Sequence, residues 1–365
     1  MPIRVLIVDD SAVMRTALSR MLAGEADVEV VATARDGEDA LTKIRAHHPD
    51  VVMLDIEMPK LSGLDVLRAL RTDFPASDRP AVLVCSTLTT QGSHAALDAM
   101  RLGAADYITK DVSSFAGGTE TLRADVLSKI RAVGGSRHQG ATTTPARRGS
   151  PHAPATHVST EIPAFDASAF DLLLIGSSTG GPPILETVLC GLPRDLAIPV
   201  VVAQHMPALF TKSLSERLDQ SCRVRVVHVS SREPLEGGRI HIIEGGKHGH
   251  IHRSLAGRLS LEVKPEPFDE VYKPSVNVLF ETGAKACGSR CLGVVLTGMG
   301  EDGLVGARPL HKAGGTILAQ NAATCAVYGM PRAVTEAGLA RASLDPEQLA
   351  RAMGQLSPAY GRSAA

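Results

Sequence analysis

With 365 residues the chain holds about two domains of ordinary size, which argues against a single small module. Lys and Arg number 38 against 39 Asp and Glu, a formal charge of -1, so the basic footprint of a nucleic-acid binder is missing. At 44% hydrophobic and 21% charged residues the composition is globular, and no apolar run reaches the roughly 18 residues of a membrane span.

The chain runs from Met1 straight into the apolar stretch Ile3 to Val8, without a basic region or a small-residue cleavage site, so no export signal is expected. The six cysteines (85, 190, 222, 287, 291 and 325) form no pair of CxxC motifs, and reduced, structural thiols in the cytoplasm are expected. Aromatic residues make up only 3%, leaving Leu, Val, Ile and Ala to build the cores, as in parallel sheets covered by helices.

Short apolar runs alternate with longer amphipathic ones, the βαβ pattern of a parallel sheet. The first series predicts strands at Arg4 to Val8, Val28 to Ala32, Val51 to Leu54, Ala81 to Cys85 and Asp106 to Thr109. Leu122, Val126, Leu127, Ile130 and Val133 share one face of a closing helix, which Gly134-Gly135 is expected to stop. From Gly134 to about Thr160 large apolar residues almost vanish, and residues 134–168 read as a flexible linker between residues 1–133 and 169–358.

The second series predicts central strands at Asp171 to Ile175, Ile198 to Ala203, Leu292 to Leu296 and Thr316 to Ala319. Arg239 to Ile243 and Leu259 to Val263 read as a hairpin or edge region joined through a His-rich turn. Cys287 and Cys291 fall one turn apart in a predicted helix. The fold class is therefore α/β: an N-terminal (βα)5 domain, a linker, and a doubly wound, mainly parallel α/β domain.

In the first domain Asp9 and Asp10 end one strand and Asp55 another, so three carboxylates meet at the carboxyl edge of the sheet, where ligands bind. Hard oxygen donors suit Mg²⁺, and Asp55 can then accept a phosphoryl group. Ser86 offers a hydroxyl and Lys110 a positive charge from the next two strand ends. Taken singly, each is as well read as a helix cap or a solvated side chain. The segments VLIVDDS, MLDIEMPKLSGLDVL and GAADYITK resemble the receiver domain of two-component response regulators. The resemblance implies phosphorylation of Asp55 by a histidine kinase, Mg²⁺ held by Asp9, Asp10, Asp55 and the Glu57 carbonyl, Ser86 as switch hydroxyl and Lys110 as phosphate clamp. Receivers usually carry a cis proline after the lysine. Here Asp111 follows, and a cis bond before a non-proline costs about 2.5 to 4 kcal/mol, so a trans peptide is expected.

In the second domain Gly176-Ser177-Ser178-Thr179-Gly180 joins a strand to a helix and fits the G-x-S-x-G pattern of a nucleophilic serine, though such a turn serves equally as a phosphate cradle. His205 follows one strand, and the loop Thr297 to Gly303, carrying Glu301 and Asp302, follows another. A lone histidine or a loop aspartate is more often structural, but serine, imidazole and carboxylate all fall at one sheet edge, as a Ser-His-Asp triad requires. Their order, Ser, His, Asp, differs from that of the α/β-hydrolases.

These segments, together with Lys273-Pro274-Ser275-Val276, Ala319-Gln320-Asn321 and Tyr328-Gly329-Met330-Pro331, resemble the catalytic domain of the chemotaxis protein-glutamate methylesterase family, CheB. The resemblance implies a phosphorylation-activated serine esterase acting on glutamate γ-methyl esters of chemoreceptors and deamidating receptor glutamines. Ser178 is then nucleophile, His205 base and Asp302 its orienting acid, with backbone N–H groups at Thr179 and Met299 for the oxyanion and no cofactor for ester hydrolysis. The implied partners are methyl-accepting chemoreceptors and a histidine kinase, with no nucleic acid and no membrane insertion, for a cytoplasmic monomer. Asn277 stands where many members have Asp, and Pro309 falls inside a predicted helix, which is expected to bend or start late. The alternating His248, His250 and His252 would share one strand face, either as metal ligands or as exposed residues, and Lys247-His248 resembles a loop near the family's active site. A response regulator whose second domain binds a ligand or protein without chemistry is the competing reading.

Overall fold

The computed structural model describes residues 1–110, 120–140 and 158–357. The chain forms two compact units, Met1–Gly149 and Ser150–Ala365.

The first unit alternates strands and helices: β1 (Ile3–Val8), α1 (Ala12–Leu22), β2 (Val28–Ala34), α2 (Gly37–His47), β3 (Val51–Asp55), α3 (Gly63–Asp73), β4 (Ala81–Thr87), α4 (Thr90–Arg101), β5 (Asp106–Lys110) and α5 (Glu120–Gly140). The sheet is parallel in the order β2-β1-β3-β4-β5. Its strands are apolar because helices cover both faces; Val5, Leu6, Ile7 and Val51 to Leu54 are fully buried or nearly so. The first four helices start where a short polar side chain can accept from the first turn, Ser11, Asp36, Ser62 and Thr89 in turn. The predicted strands are present. The helix expected to stop at Gly134-Gly135 instead runs on to Gly140. Gly134 serves close packing, since a Cβ there would lie 2.7 Å from Ile3 Cγ2 and 3.1 Å from Val51 Cγ2. Asp111 lies outside the described residues.

The second unit comprises β6 (Leu172–Ser177), α6 (Gly181–Cys190), β7 (Val200–Gln204), α7 (Ala208–Ser221), β8 (Arg225–Val229), β9 (Arg232–Pro234), β10 (Arg239–Ile243), β11 (His248–Arg253), β12 (Leu259–Lys264), α8 (Val276–Cys287), β13 (Cys291–Val295), α9 (Leu304–Lys312), β14 (Thr316–Gln320), α10 (Met330–Glu336), β15 (Ala342–Leu344) and α11 (Pro346–Gly354). Seven strands form a sheet in the order β15-β14-β13-β6-β7-β10-β8, parallel throughout. The chain winds outward from β6 in both directions, so the strand order reverses beside β6, and the carboxyl ends at such a reversal are where open α/β sheets bind ligands.

Several expectations are corrected. Arg239 to Ile243 is not part of a hairpin: β10 lies between β7 and β8, with Ile240, Ile242 and Ile243 fully buried. The hairpin is β11 with β12, extended by β9 into a separate antiparallel sheet. The His-rich stretch is thus a strand, not a turn. The part of the linker at 158–168 packs on the second unit. Phe165 N–H donates to Gln355 Oε1 at 2.9 Å, Gln355 Nε2 donates to the Pro163 carbonyl at 3.0 Å, and the Phe165 ring meets Phe170 edge to face. Cys190 and Cys222 are joined in a disulfide rather than reduced, linking the ends of α6 and α7. Cys287 ends α8 and Cys291 opens β13, so no helix contains both. Pro309 lies inside α9, which begins at Leu304.

Candidate functional site

At the carboxyl edge of the first sheet, Asp9, Asp10 and Asp55 each offer an oxygen within 4.8 Å of the others, and this is the metal-type cluster among the described residues. Lys110 Nζ lies 2.7 Å from both Asp9 Oδ2 and Asp55 Oδ2. Burial and the neighbouring Asp9 charge push the Asp55 carboxyl up, against the ammonium of Lys110. Burial pulls Lys110 the other way, but Asp55 and Asp9 outweigh it and raise its pKa. The Ser86 hydroxyl, on the neighbouring strand, donates to the Gly92 carbonyl at 2.7 Å. Glu57 is exposed, and its N–H reaches Asp55 Oδ1 at 3.4 Å. Hard, partly buried carboxylate oxygens suit Mg²⁺.

In the second unit three chain segments supply the edge beside β6. Ser178 follows β6 directly; its N–H donates to the Thr297 carbonyl at 3.0 Å, and its own carbonyl accepts from Gln204 Nε2 at 3.0 Å. Gly180, at φ 75°, turns the chain into α6. Its neighbour Gly181 has no room for a side chain, since a Cβ would lie 2.2 Å from Ser177 Oγ and 2.3 Å from Gln204 Oε1. Thr179 is buried, and its carbonyl accepts from Thr297 Oγ1 at 2.9 Å. Met299 is half-buried in the loop after β13.

His205 follows β7, and its N–H donates to the Ser177 carbonyl at 3.0 Å. Nε2 of its ring lies 2.8 Å from Asp302 Oδ2, while Nδ1 is buried with no hydrogen-bond partner among the described residues. The Ser178 hydroxyl and the imidazole are therefore not hydrogen-bonded here. The ring is stacked on Tyr272, centroids 4.5 Å apart and planes 3° from parallel.

Asp302 is held on all sides. Oδ2 also accepts from Val276 N–H at 2.7 Å, and Oδ1 accepts from Ser275 Oγ at 3.1 Å, Asn277 N–H at 2.9 Å and its successor Gly303 N–H at 3.0 Å. Two of these N–H groups begin α8, so the carboxylate sits at a helix N-terminus. Burial would raise its pKa, yet His205 and the backbone N–H groups of Val276 and Asn277 prevail and hold it below the usual carboxylate value.

His248, His250 and His252 go to separate partners: Ser275 N–H, the Glu266 carbonyl and the Glu262 carboxylate. His248 is thereby tied to the residue that supports Asp302, consistent with a loop near the site. Sequence reasoning gave no role to Gln204, Tyr272, Ser275 or Asn277. For Tyr272 the sequence held no signal, because its contact joins segments far apart in the chain, and Asn277 stood out only as a departure from the family's usual Asp.

Residues 5–116 match the response regulator receiver domain and residues 173–353 the CheB methylesterase family. The protein-glutamate methylesterase/protein-glutamine glutaminase 1 of Oleidesulfovibrio alaskensis is 44% identical, the match covering 96% of this chain and 98% of that protein. A second such enzyme, from Nitratidesulfovibrio vulgaris, is 42% identical over the same shares. Among solved structures, the CheB methylesterase catalytic domain of Thermotoga maritima is 34% identical with a TM-score of 0.50, over 51% of this chain and 98% of that one. The chain therefore belongs to the family of protein-glutamate methylesterases/protein-glutamine glutaminases, in which a receiver domain precedes a CheB methylesterase domain.

Proposed function

We propose that this protein is a phosphorylation-activated serine esterase that hydrolyses glutamate γ-methyl esters on chemoreceptors and deamidates receptor glutamines, in the cytoplasm. The observation that carries the reading is the His205–Asp302 pair, set at the same sheet edge as the Ser178 turn with one imidazole nitrogen left over.

Asp302 holds the proton on Nε2, so the lone pair belongs to Nδ1. Ser178 Oγ attacks the ester carbonyl carbon while Nδ1 takes its proton, and Asp302 supports the resulting imidazolium. Backbone N–H groups at Thr179 and Met299 receive the oxyanion. The tetrahedral intermediate collapses with the Nδ1 proton passing to the departing methanol, or to ammonia from a glutamine. Water, deprotonated by the same nitrogen, then releases the glutamate carboxylate and restores Ser178.

In the receiver, Asp55 accepts a phosphoryl group from a histidine kinase. Asp9, Asp10, Asp55 and the Glu57 carbonyl would hold Mg²⁺, which offsets phosphoryl charge when bound. Lys110 steadies the phosphoryl oxygens, and Ser86 leaves the Gly92 carbonyl to meet them, biasing the domain toward its active state. Methanol release from methylated receptors, measured with and without a small phosphodonor, tests the reading; no release in either condition would overturn it.

A further inference from the structure

Helix α9 is preceded at its N-cap by Gly303, a residue at φ 102° with no side chain to cap the first turn. The acceptor comes from another helix. Asn277, in the first turn of α8, places its Oδ1 2.8 Å from Gly303 N and 2.9 Å from Gly306 N. Its own N–H donates to Asp302 Oδ1 at 2.9 Å. One residue thus holds the carboxylate with its backbone and the chain just beyond that carboxylate with its side chain. The helices approach closely enough to make this possible, since a Cβ at Gly306 would stand 2.4 Å from the Asn277 carbonyl oxygen and 2.7 Å from its Cα.

We propose that Asn277 is a positioning residue for the esterase reaction: its side-chain oxygen fastens the Asp302–Gly303 peptide so that the carboxylate stays aimed at His205 Nε2. The proposal rests on the reading of Ser178, His205 and Asp302 as the catalytic set. Gly303 N–H is shared between Asn277 Oδ1 and Asp302 Oδ1, at 2.8 and 3.0 Å. Without the side chain, Gly306 N–H loses its acceptor and the start of α9 is free to shift, taking with it the residue next to Asp302. The imidazole meets Asp302 through a single hydrogen bond, so a displacement of this peptide moves the ring and with it the direction of Nδ1.

The test uses the full-length chain, activated by acetyl phosphate and supplied with methylated receptor. It measures methanol release, thermal unfolding, and the low-field NMR signal of the proton between His205 and Asp302. Asn277→Ala should lower kcat on the order of ten- to a hundredfold at nearly constant KM and shift or broaden that signal. Asn277→Asp should restore most of kcat and the signal, because a carboxylate oxygen accepts the same two N–H groups and its charge suits a helix N-terminus. If Asn277→Ala does not fold, Asn277→Ser, too short to span both N–H groups, should show the same loss of kcat in milder form. Wild-type kcat and an unchanged proton signal in the folded alanine or serine variant would overturn the proposal. So would an Asn277→Asp protein that regains thermal stability without regaining kcat. If the wild type releases no methanol while Asn277→Ala still displaces the proton signal, the esterase reading fails and takes the catalytic part of the proposal with it, leaving only the hold of Asn277 on Asp302.

Discussion

His205 turns Nε2 toward Asp302 at 2.8 Å and leaves Nδ1 buried without a partner. Serine hydrolases of the trypsin type use the two nitrogens the other way round. In the proposed mechanism Nδ1 is the base and Ser178 the residue it serves. Ser178→Ala should therefore reduce methanol release about a thousandfold or more while leaving labelling of Asp55 by a phosphodonor intact. Radioactive acetyl phosphate and a methanol assay on the same preparation check both halves, and retained ester hydrolysis would remove Ser178 from the mechanism.

Gly298 lies against Ser178, the proposed nucleophile. A Cβ on it would stand 2.7 Å from Ser178 Cβ and 2.3 Å from Met330 Sδ, so Gly298→Ala must relieve both contacts. The rate at which a fluorophosphonate labels Ser178 should fall by roughly ten- to a hundredfold, as expected for a nucleophile displaced by part of an ångström. An unaltered labelling rate would show that both contacts are relieved without moving the Ser178 hydroxyl.

Tyr272 fixes the plane of the imidazole, which a single hydrogen bond to Asp302 leaves free to tilt. Tyr272→Phe keeps the stacked ring and should stay within about twofold of wild-type kcat, whereas Tyr272→Ala should lose about tenfold, in line with the sensitivity of proton transfer to orientation. Equal rates in the two variants would deny the stack any part in catalysis.

Asp55→Asn should leave the unstimulated esterase rate in place and abolish its rise with acetyl phosphate, because the carboxylate proposed to take the phosphoryl group is gone. Stimulation that survives the substitution would point to another acceptor.

His241 is fully buried in β10, with Nδ1 3.2 Å from the Val200 carbonyl and Nε2 unpartnered among the described residues. Burial, the largest influence, lowers its pKa from the ordinary 6.5 despite the Val200 carbonyl. Below pH 6.5 the unfolded chain takes up a proton that the folded one refuses. Stability is then whole above that pH and erodes as pH falls, by up to about 1.4 kcal/mol per unit until the folded histidine also protonates. Urea unfolding at pH 7.5 and 5.5 should show less of this slope in His241→Leu; an identical slope would assign the effect to other groups.

Strand ends were the legible part of the molecule. Apolar runs marked β1, β3, β6, β7 and β13, and each delivered its polar residue to the edge where the sequence had set it. What failed depended on partners distant in the chain. β10 read as a hairpin strand because Arg239 to Ile243 mixes apolar residues with His241, and only pairing with β7 and β8 shows that the histidine is buried. Gly134 read as a stop because glycine usually breaks a helix, whereas contact with Ile3 and Val51 requires its small size. Residues 158–168 lack a core of their own and borrow one from Phe170 and Gln355. Asn277 looked like an incidental difference in a helix, since its value lies in α9.

The five donors that converge on Asp302 also limit what chemistry the second unit can adopt. Every favourable direction around that carboxylate is already taken by the protein, so neither substrate nor solvent can recruit it as a base without displacing one of those donors.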